Sequence, residues 1–155
     1  MNPERNIVVV DYGAGNVQSV VNALDALGIQ AELSSDAGTV RQADGIIVPG
    51  VGAAQDTITN LQRRGLVEPV QDIIERDLPY LGICMGMQAL MSSSEENGGQ
   101  PCLDVIPGVG RRCETSLPVP HMGWNQVVRT LHGASHPLFD DIPDEAEFYF
   151  VHSYY

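Results

Sequence analysis

Basic residues are scarce in this sequence: 8 Lys and Arg stand against 20 Asp and Glu, for a net charge of −12. Such a field repels phosphate backbones and anionic lipid, which excludes nucleic acid and membrane surfaces as natural partners. A basic partner protein fits better. Cysteine is limited to Cys84, Cys102 and Cys113, an odd set with no CxxC spacing, so neither a disulfide framework nor a zinc site is expected. Three free thiols point to a reducing, cytoplasmic setting. The segment Met1–Asn6 is polar, and no apolar run of signal-peptide or membrane length follows it. Internal repeats are absent as well. What remains is 155 residues, 43% apolar and 18% charged, a composition that suits one globular domain over residues 1–155.

The first half alternates strand and helix signals. Ile7-Val8-Val9-Val10 is a continuous β-branched run, the pattern of a strand buried on both faces. Asp11 to Gly15 reads as a turn, and Val17, Val20, Val21, Leu24 and Leu27 then recur at helical spacing up to a stop at Gly28. Ile29–Leu33 and Gly45–Val48 read as further strands. A helical stretch from about Ala53 to Arg76 is expected to break near Gly65. Leu81-Gly82-Ile83-Cys84 is a fourth strand that enters helix at Met85. This order predicts an α/β fold with a mostly parallel open sheet and helices on both faces. Ser92–Gln100 reads as a polar loop, and Val127-Val128 and Phe148–Val151 as later strands. The chain ends on Tyr154-Tyr155 straight out of an apolar strand, which suggests a missing C-terminal segment.

Gly82-Ile83-Cys84-Met85-Gly86 carries the strongest chemical signal. A buried strand turning abruptly into a helix strains its corner residue and points that side chain outward, while flanking glycines let neighbouring segments approach. The corner lies at the carboxyl end of the sheet, where open α/β folds bind ligands. Cys84 there is a candidate nucleophile, at the positive end of a helix dipole that favours anionic sulfur. The Met85 N–H points where an oxyanion would form. The competing reading is a small cysteine packed under a helix. Pro49-Gly50-Val51-Gly52 closes the neighbouring strand and could supply a second oxyanion N–H, or be an ordinary turn. Gly13-Ala14-Gly15 invites a dinucleotide reading, but Gln18 occupies the third glycine position and no acidic residue closes the second strand. His121, His132, His136 and His152 are the available imidazoles, each equally readable as a surface histidine. Trp124, in Pro120-His121-Met122-Gly123-Trp124-Asn125, suits an interface anchor or a packing role.

The elbow Gly82-Ile83-Cys84-Met85-Gly86-Met87-Gln88 resembles that of class I glutamine amidotransferases, which have a flavodoxin-like fold. Asp11–Asn16, Pro49–Gly52, Pro120–Asn125 and Phe148–Tyr154 narrow the resemblance to the glutaminase subunits of imidazole glycerol phosphate synthase. The resemblance implies that Cys84 attacks the glutamine side-chain amide, giving a glutamyl thioester and ammonia. It implies oxyanion contacts from the backbone of Val51, Gly52 and Met85, and a glutamine site at Gly50, Gly52, Gln88, Ser153 and Tyr154. Asn16, His121, Met122 and Trp124 match positions facing a (β/α)₈ cyclase in a heterodimer, which uses the ammonia in histidine biosynthesis. No metal or organic cofactor is implied.

Two departures stand out. Ala54 occupies a position that is commonly aromatic in the family. The family's base, a His followed by Pro and then Glu, has no counterpart here: His136-Pro137-Leu138-Phe139 lacks the acid and lies in the wrong place. The 155 residues alone are therefore expected to lack appreciable glutaminase activity, since general-base assistance is worth roughly 10² to 10⁴-fold. Two other readings compete: a partner-binding module without catalysis, and the glutaminase of another class I amidotransferase or another Cys-elbow hydrolase.

Overall fold

The computed structural model describes residues 5–131 and 133–155. His132 lies outside them. The chain forms two compact units, the first ending at Arg111 and the second spanning Arg112–Tyr155.

The first unit is built on a four-stranded sheet ordered β2-β1-β3-β4, from β1 (Ile7–Val10), β2 (Ala31–Ser34), β3 (Gly45–Gly50) and β4 (Tyr80–Cys84). Every pairing in it is parallel, as the alternating order predicts. Between the strands run α1 (Val17–Ala26), α2 (Ala37–Arg41), α3 (Ala54–Arg63) and α4 (Val67–Glu75). Asn16 caps α1 through an Oδ1 contact from the Ser19 N–H, and Gly28 at φ 70° follows its end. The expected break between α3 and α4 falls at Gly65, φ 63°.

Val8, Val10, Ile46 and Val48 share one sheet face and join Val40, Ile58, Leu61, Val70 and Ile73 from α2, α3 and α4 in a single core. On the opposite face, Leu33, Leu81 and Ile83 keep 43%, 39% and 39% of their surface exposed, so that face is covered only in part. Among the described residues no helix is long and apolar enough to cross a membrane.

Several elements escaped the sequence pattern. α2 is only five residues long, but Asp36 caps it through Oδ1, which accepts from the Thr39 N–H at 2.8 Å. The polar stretch expected to be a loop from Ser92 instead begins within a strand, β5 (Met91–Ser94). Its serines form a strand because β6 (Gln100–Pro101) and β7 (Ile106–Gly110) pair with it from both sides. Long-range pairing overrides weak local preference there.

The second unit centres on an antiparallel pair, β8 (His121–Val127) and β9 (Ala146–His152), in register from His121↔His152 to Val127↔Ala146. Both later strands were expected, and β8 starts earlier than Val127. Arg112 bridges to Tyr154, and the Cys113 N–H donates to the Ser153 carbonyl at 2.9 Å.

Candidate active site

The carboxyl ends of β3 and β4 place Gly50 directly beside Cys84 in the strand register. Both strands leave the sheet at that level. β3 runs into Val51 and Gly52 and then α3, while β4 turns at Cys84 into α5 (Met85–Gln88). Cys84 is exposed and adopts φ 53°, ψ −114°, a backbone conformation that side-chain-bearing residues seldom occupy. The elbow expected from the sequence is therefore present, strained at its corner. α5 is a single turn, so the dipole support at Cys84 is smaller than a full helix would give.

The glycines around the elbow have steric reasons. A Cβ on Gly50 would lie 2.6 Å from the Met85 Cβ and 2.7 Å from the Gly86 nitrogen. One on Gly82 would lie 2.6 Å from the Met87 backbone, and one on Gly86 would land on the Val48 carbonyl. The single turn of α5 is thus pressed against β3 and β4 at backbone distance. Tyr80 fastens it from below, its hydroxyl donating to the Gly86 carbonyl at 2.6 Å, and burial pushes that phenol's pKa up.

Val51 and Gly52 are exposed on the turn after β3, with Gly52 at φ 86°. Gln88 is half-buried in the last position of α5. Gly13–Asn16 approaches the same edge: a Cβ on Gly15 would meet the Pro49 carbonyl oxygen at 3.4 Å. The first unit therefore gathers Asn16, Gly50, Val51, Gly52, Cys84, Met85 and Gln88 at the carboxyl ends of its strands.

Ser153, Tyr154, His121, Met122 and Trp124 belong to the second unit. Strand alternation separates the last three. Met122 and Trp124 share a face with their register partners Val151 and Tyr149, all at least half exposed. His121 points to the other face, where its ring meets His152 edge-on at 5.5 Å and its Nε2 lies 2.6 Å from Asn125 Nδ2. His136 caps the short turn Pro137–Phe139, its Nδ1 accepting from the Leu138 N–H.

Two features of the first unit escaped the sequence. Tyr12 and Thr57, 1% and 0% exposed, bury their hydroxyls beneath the elbow, and the Tyr12 hydroxyl would be 2.8 Å from a Cβ on Gly50. The two hydroxyls are neighbours, yet neither attains hydrogen-bond geometry with any described residue. Burial raises the Tyr12 phenol's pKa; the Thr57 hydroxyl offsets this in part, and the nearby Cys84 sulfur adds to it. The second feature is Glu96, whose Oε2 accepts from the Ala54 N–H at 2.6 Å. An aromatic residue inside a turn signalled Tyr12 weakly. Nothing local signalled Glu96. Among the described residues no cluster of three or more His, Cys, Asp and Glu could hold a metal ion.

Residues 8–155 match the family model for class-I glutamine amidotransferases. The HisH subunit of imidazole glycerol phosphate synthase from Dehalococcoides mccartyi is 48% identical over 149 residues, covering 96% of this chain and 71% of that protein. Its counterpart from Moorella thermoacetica is 50% identical over 151 residues, covering 97% of this chain and 70% of that protein. Among solved structures, a glutamine amidotransferase aligns with TM-score 0.69 at 19% identity, over 94% of this chain and 70% of that one, which supports the fold. With the strained cysteine elbow, the glycine-packed parallel sheet and these matches together, the chain belongs to the class-I glutamine amidotransferases, among the HisH subunits of imidazole glycerol phosphate synthase.

Proposed function

We propose that Cys84 is the nucleophile of a glutaminase reaction. Its sulfur attacks the side-chain amide carbon of glutamine, ammonia leaves with a proton gained in the step, and water then cleaves the glutamyl thioester to glutamate. The observation that carries this reading is the Gly50–Cys84 register. It brings the segments that follow β3 and β4 out of the sheet side by side, which supports a reading in which amides of Val51, Gly52 and Met85 converge on one developing oxyanion. Gly50, Gly52, Gln88, Ser153 and Tyr154 hold glutamine in this reading.

The partner is a (β/α)₈ cyclase in a cytoplasmic heterodimer, which uses the ammonia to form imidazole glycerol phosphate. Support comes from the exposed face of Met122, Trp124, Tyr149 and Val151, a two-stranded surface rich in aromatic and apolar anchors. Asn16 and, from the opposite face of the strand pair, His121 are further partner contacts in this reading.

The first unit contains no histidine, and the 155 residues contain no His-Pro-Glu sequence. We infer that the base serving Cys84 is not among them. Glutamate release by the 155-residue chain with the cyclase tests this: no appreciable turnover is expected, and turnover at an ordinary enzymatic rate would refute the inference. The same missing motif favours a second reading, a partner-binding module without catalysis, which failure of an electrophilic glutamine analogue to label Cys84 would support.

A further inference from the structure

Tyr12 is an aromatic residue in a turn, yet only 1% of its surface is exposed. The turn that carries it is fastened on both sides. The Asp11 N–H donates to the Ser34 carbonyl at 2.8 Å, and Asp11 Oδ1 accepts from the Gly13 N–H at 2.8 Å. Arg64 Nη1 donates to the Asp11 carbonyl at 3.2 Å. The chain is thus held before and after Tyr12, whose side chain joins Val10, Val48, Ile58 and Leu61 in the core.

The hydroxyl at the end of that ring reaches the last residue of β3. A Cβ on Gly50 would stand 2.6 Å from the Met85 Cβ, 2.7 Å from the Gly86 nitrogen and 2.8 Å from the Tyr12 hydroxyl. Atoms of the elbow and the phenol oxygen therefore crowd the same point, the space that Gly50 leaves free. Gly50 also pairs with Cys84 across the sheet. Only Val51, Gly52 and Ala53 separate it from α3.

This hydroxyl is unfavourable for the resting fold. Neither it nor the fully buried Thr57 hydroxyl beside it has a hydrogen-bond partner among the described residues. A buried polar group left unpaired lowers stability, and phenylalanine would fill the core with the same ring without that penalty. What phenylalanine would not supply is the oxygen against Gly50. Interiors are packed closely enough that the backbone beside such a gap gains freedom.

We propose that Tyr12 is a positioning residue for the oxyanion turn: its hydroxyl, set against Gly50, holds the end of β3 so that the Val51 and Gly52 amides keep their place beside the elbow. This role rests on the glutaminase reading. It differs from a contact with substrate, because the hydroxyl is buried beneath the site.

The test needs no general base, so the 155-residue chain itself serves. Labelling of Cys84 is followed with a chloromethyl ketone analogue of glutamine, from which the sulfur displaces chloride to form a thioether while the ketone oxygen takes the oxyanion position. Iodoacetamide, which alkylates sulfur without oxyanion amides, is the control. Tyr12→Phe is expected to lower the maximal rate with the ketone roughly three- to tenfold, part of the hundredfold or more that loss of an oxyanion donor costs. The half-saturating ketone concentration and the iodoacetamide rate should both stay within about threefold of wild type. Its Tm should be at or above that of wild type. Thr57→Val removes the neighbouring hydroxyl, leaves the phenol oxygen in place, and is expected to label at the wild-type rate. A double-mutant cycle reads the contact itself: Gly50→Ala should lower Tm less in the Tyr12→Phe background, by about 2 °C or more.

An unchanged ketone rate in Tyr12→Phe would overturn the proposal. So would equal slowing by both reagents or a Tm that falls with the rate, either of which marks ordinary core packing. Equal slowing in Thr57→Val, or Tm changes that simply add, would likewise overturn it by removing the effect from the Tyr12–Gly50 contact. If iodoacetamide labels wild-type Cys84 and the ketone does not, the glutaminase reading fails, and the cycle then decides by itself whether the hydroxyl positions Gly50.

Discussion

Gly50 and Cys84 stand opposite one another at the carboxyl ends of adjacent parallel strands. Gly50 must lack a Cβ because Met85 occupies that space. Cys84 must bear a side chain despite a positive φ of 53°. Backbone packing and strain at one level of the sheet bring a thiol beside a turn of amides.

The strain at Cys84 has a measurable consequence. A non-glycine residue in such a region costs about 1–3 kcal/mol. Cys84→Gly is therefore expected to raise thermal stability while removing the sulfur, and a lowered Tm would show that the thiol contributes packing worth more than the strain.

The glycine contacts predict the opposite sign. Gly50→Ala is expected to destabilise by about 1–3 kcal/mol through overpacking against Met85. Gly86→Ala should be worse, since its methyl meets the rigid Val48 carbonyl rather than a side chain. Denaturant midpoints of the two variants check this, and a tolerated Gly86→Ala would contradict the packing described.

Tyr12 offers a test of the buried hydroxyls. Its hydroxyl has no protein partner among the described residues, so Tyr12→Phe removes a buried polar group without orphaning another. Stability is expected to hold or rise by about 1 kcal/mol. A loss of that size would mean that Tyr12 and Thr57 are hydrogen-bonded in solution.

Asp36 gives a pH dependence. The Thr39 backbone N–H, then the Thr39 hydroxyl, hold its carboxyl below the usual range. A depressed carboxylate contributes stability above its unfolded value, about 3.9, and loses it as pH falls through the folded value. Asp36→Ala should therefore melt below wild type at about pH 7, and the gap should close in strong acid near pH 2. A gap that stays constant across that span would contradict the capping role.

How much of this was legible beforehand follows from distance along the chain. The strand at Ile7–Val10, the break at Gly65 and the Cys84 elbow are written in neighbouring residues, as β-branched runs and glycines, and all three are present. β5 was missed because its serines gain their strand from β6 and β7, not from local preference. Glu96 was missed because its partner lies 42 positions away. That His121 lies on the face opposite Met122 and Trp124 could be read only once β8 was seen to start at His121.

The central claim is that Cys84 is the nucleophile for glutamine. Its most direct test is covalent trapping of the chain by an electrophilic glutamine analogue, read by intact mass and peptide mapping. One adduct is expected, on Cys84 and not on Cys102 or Cys113, protected by glutamine and absent from Cys84→Ser. Equal labelling of the Cys84→Ser protein would contradict it.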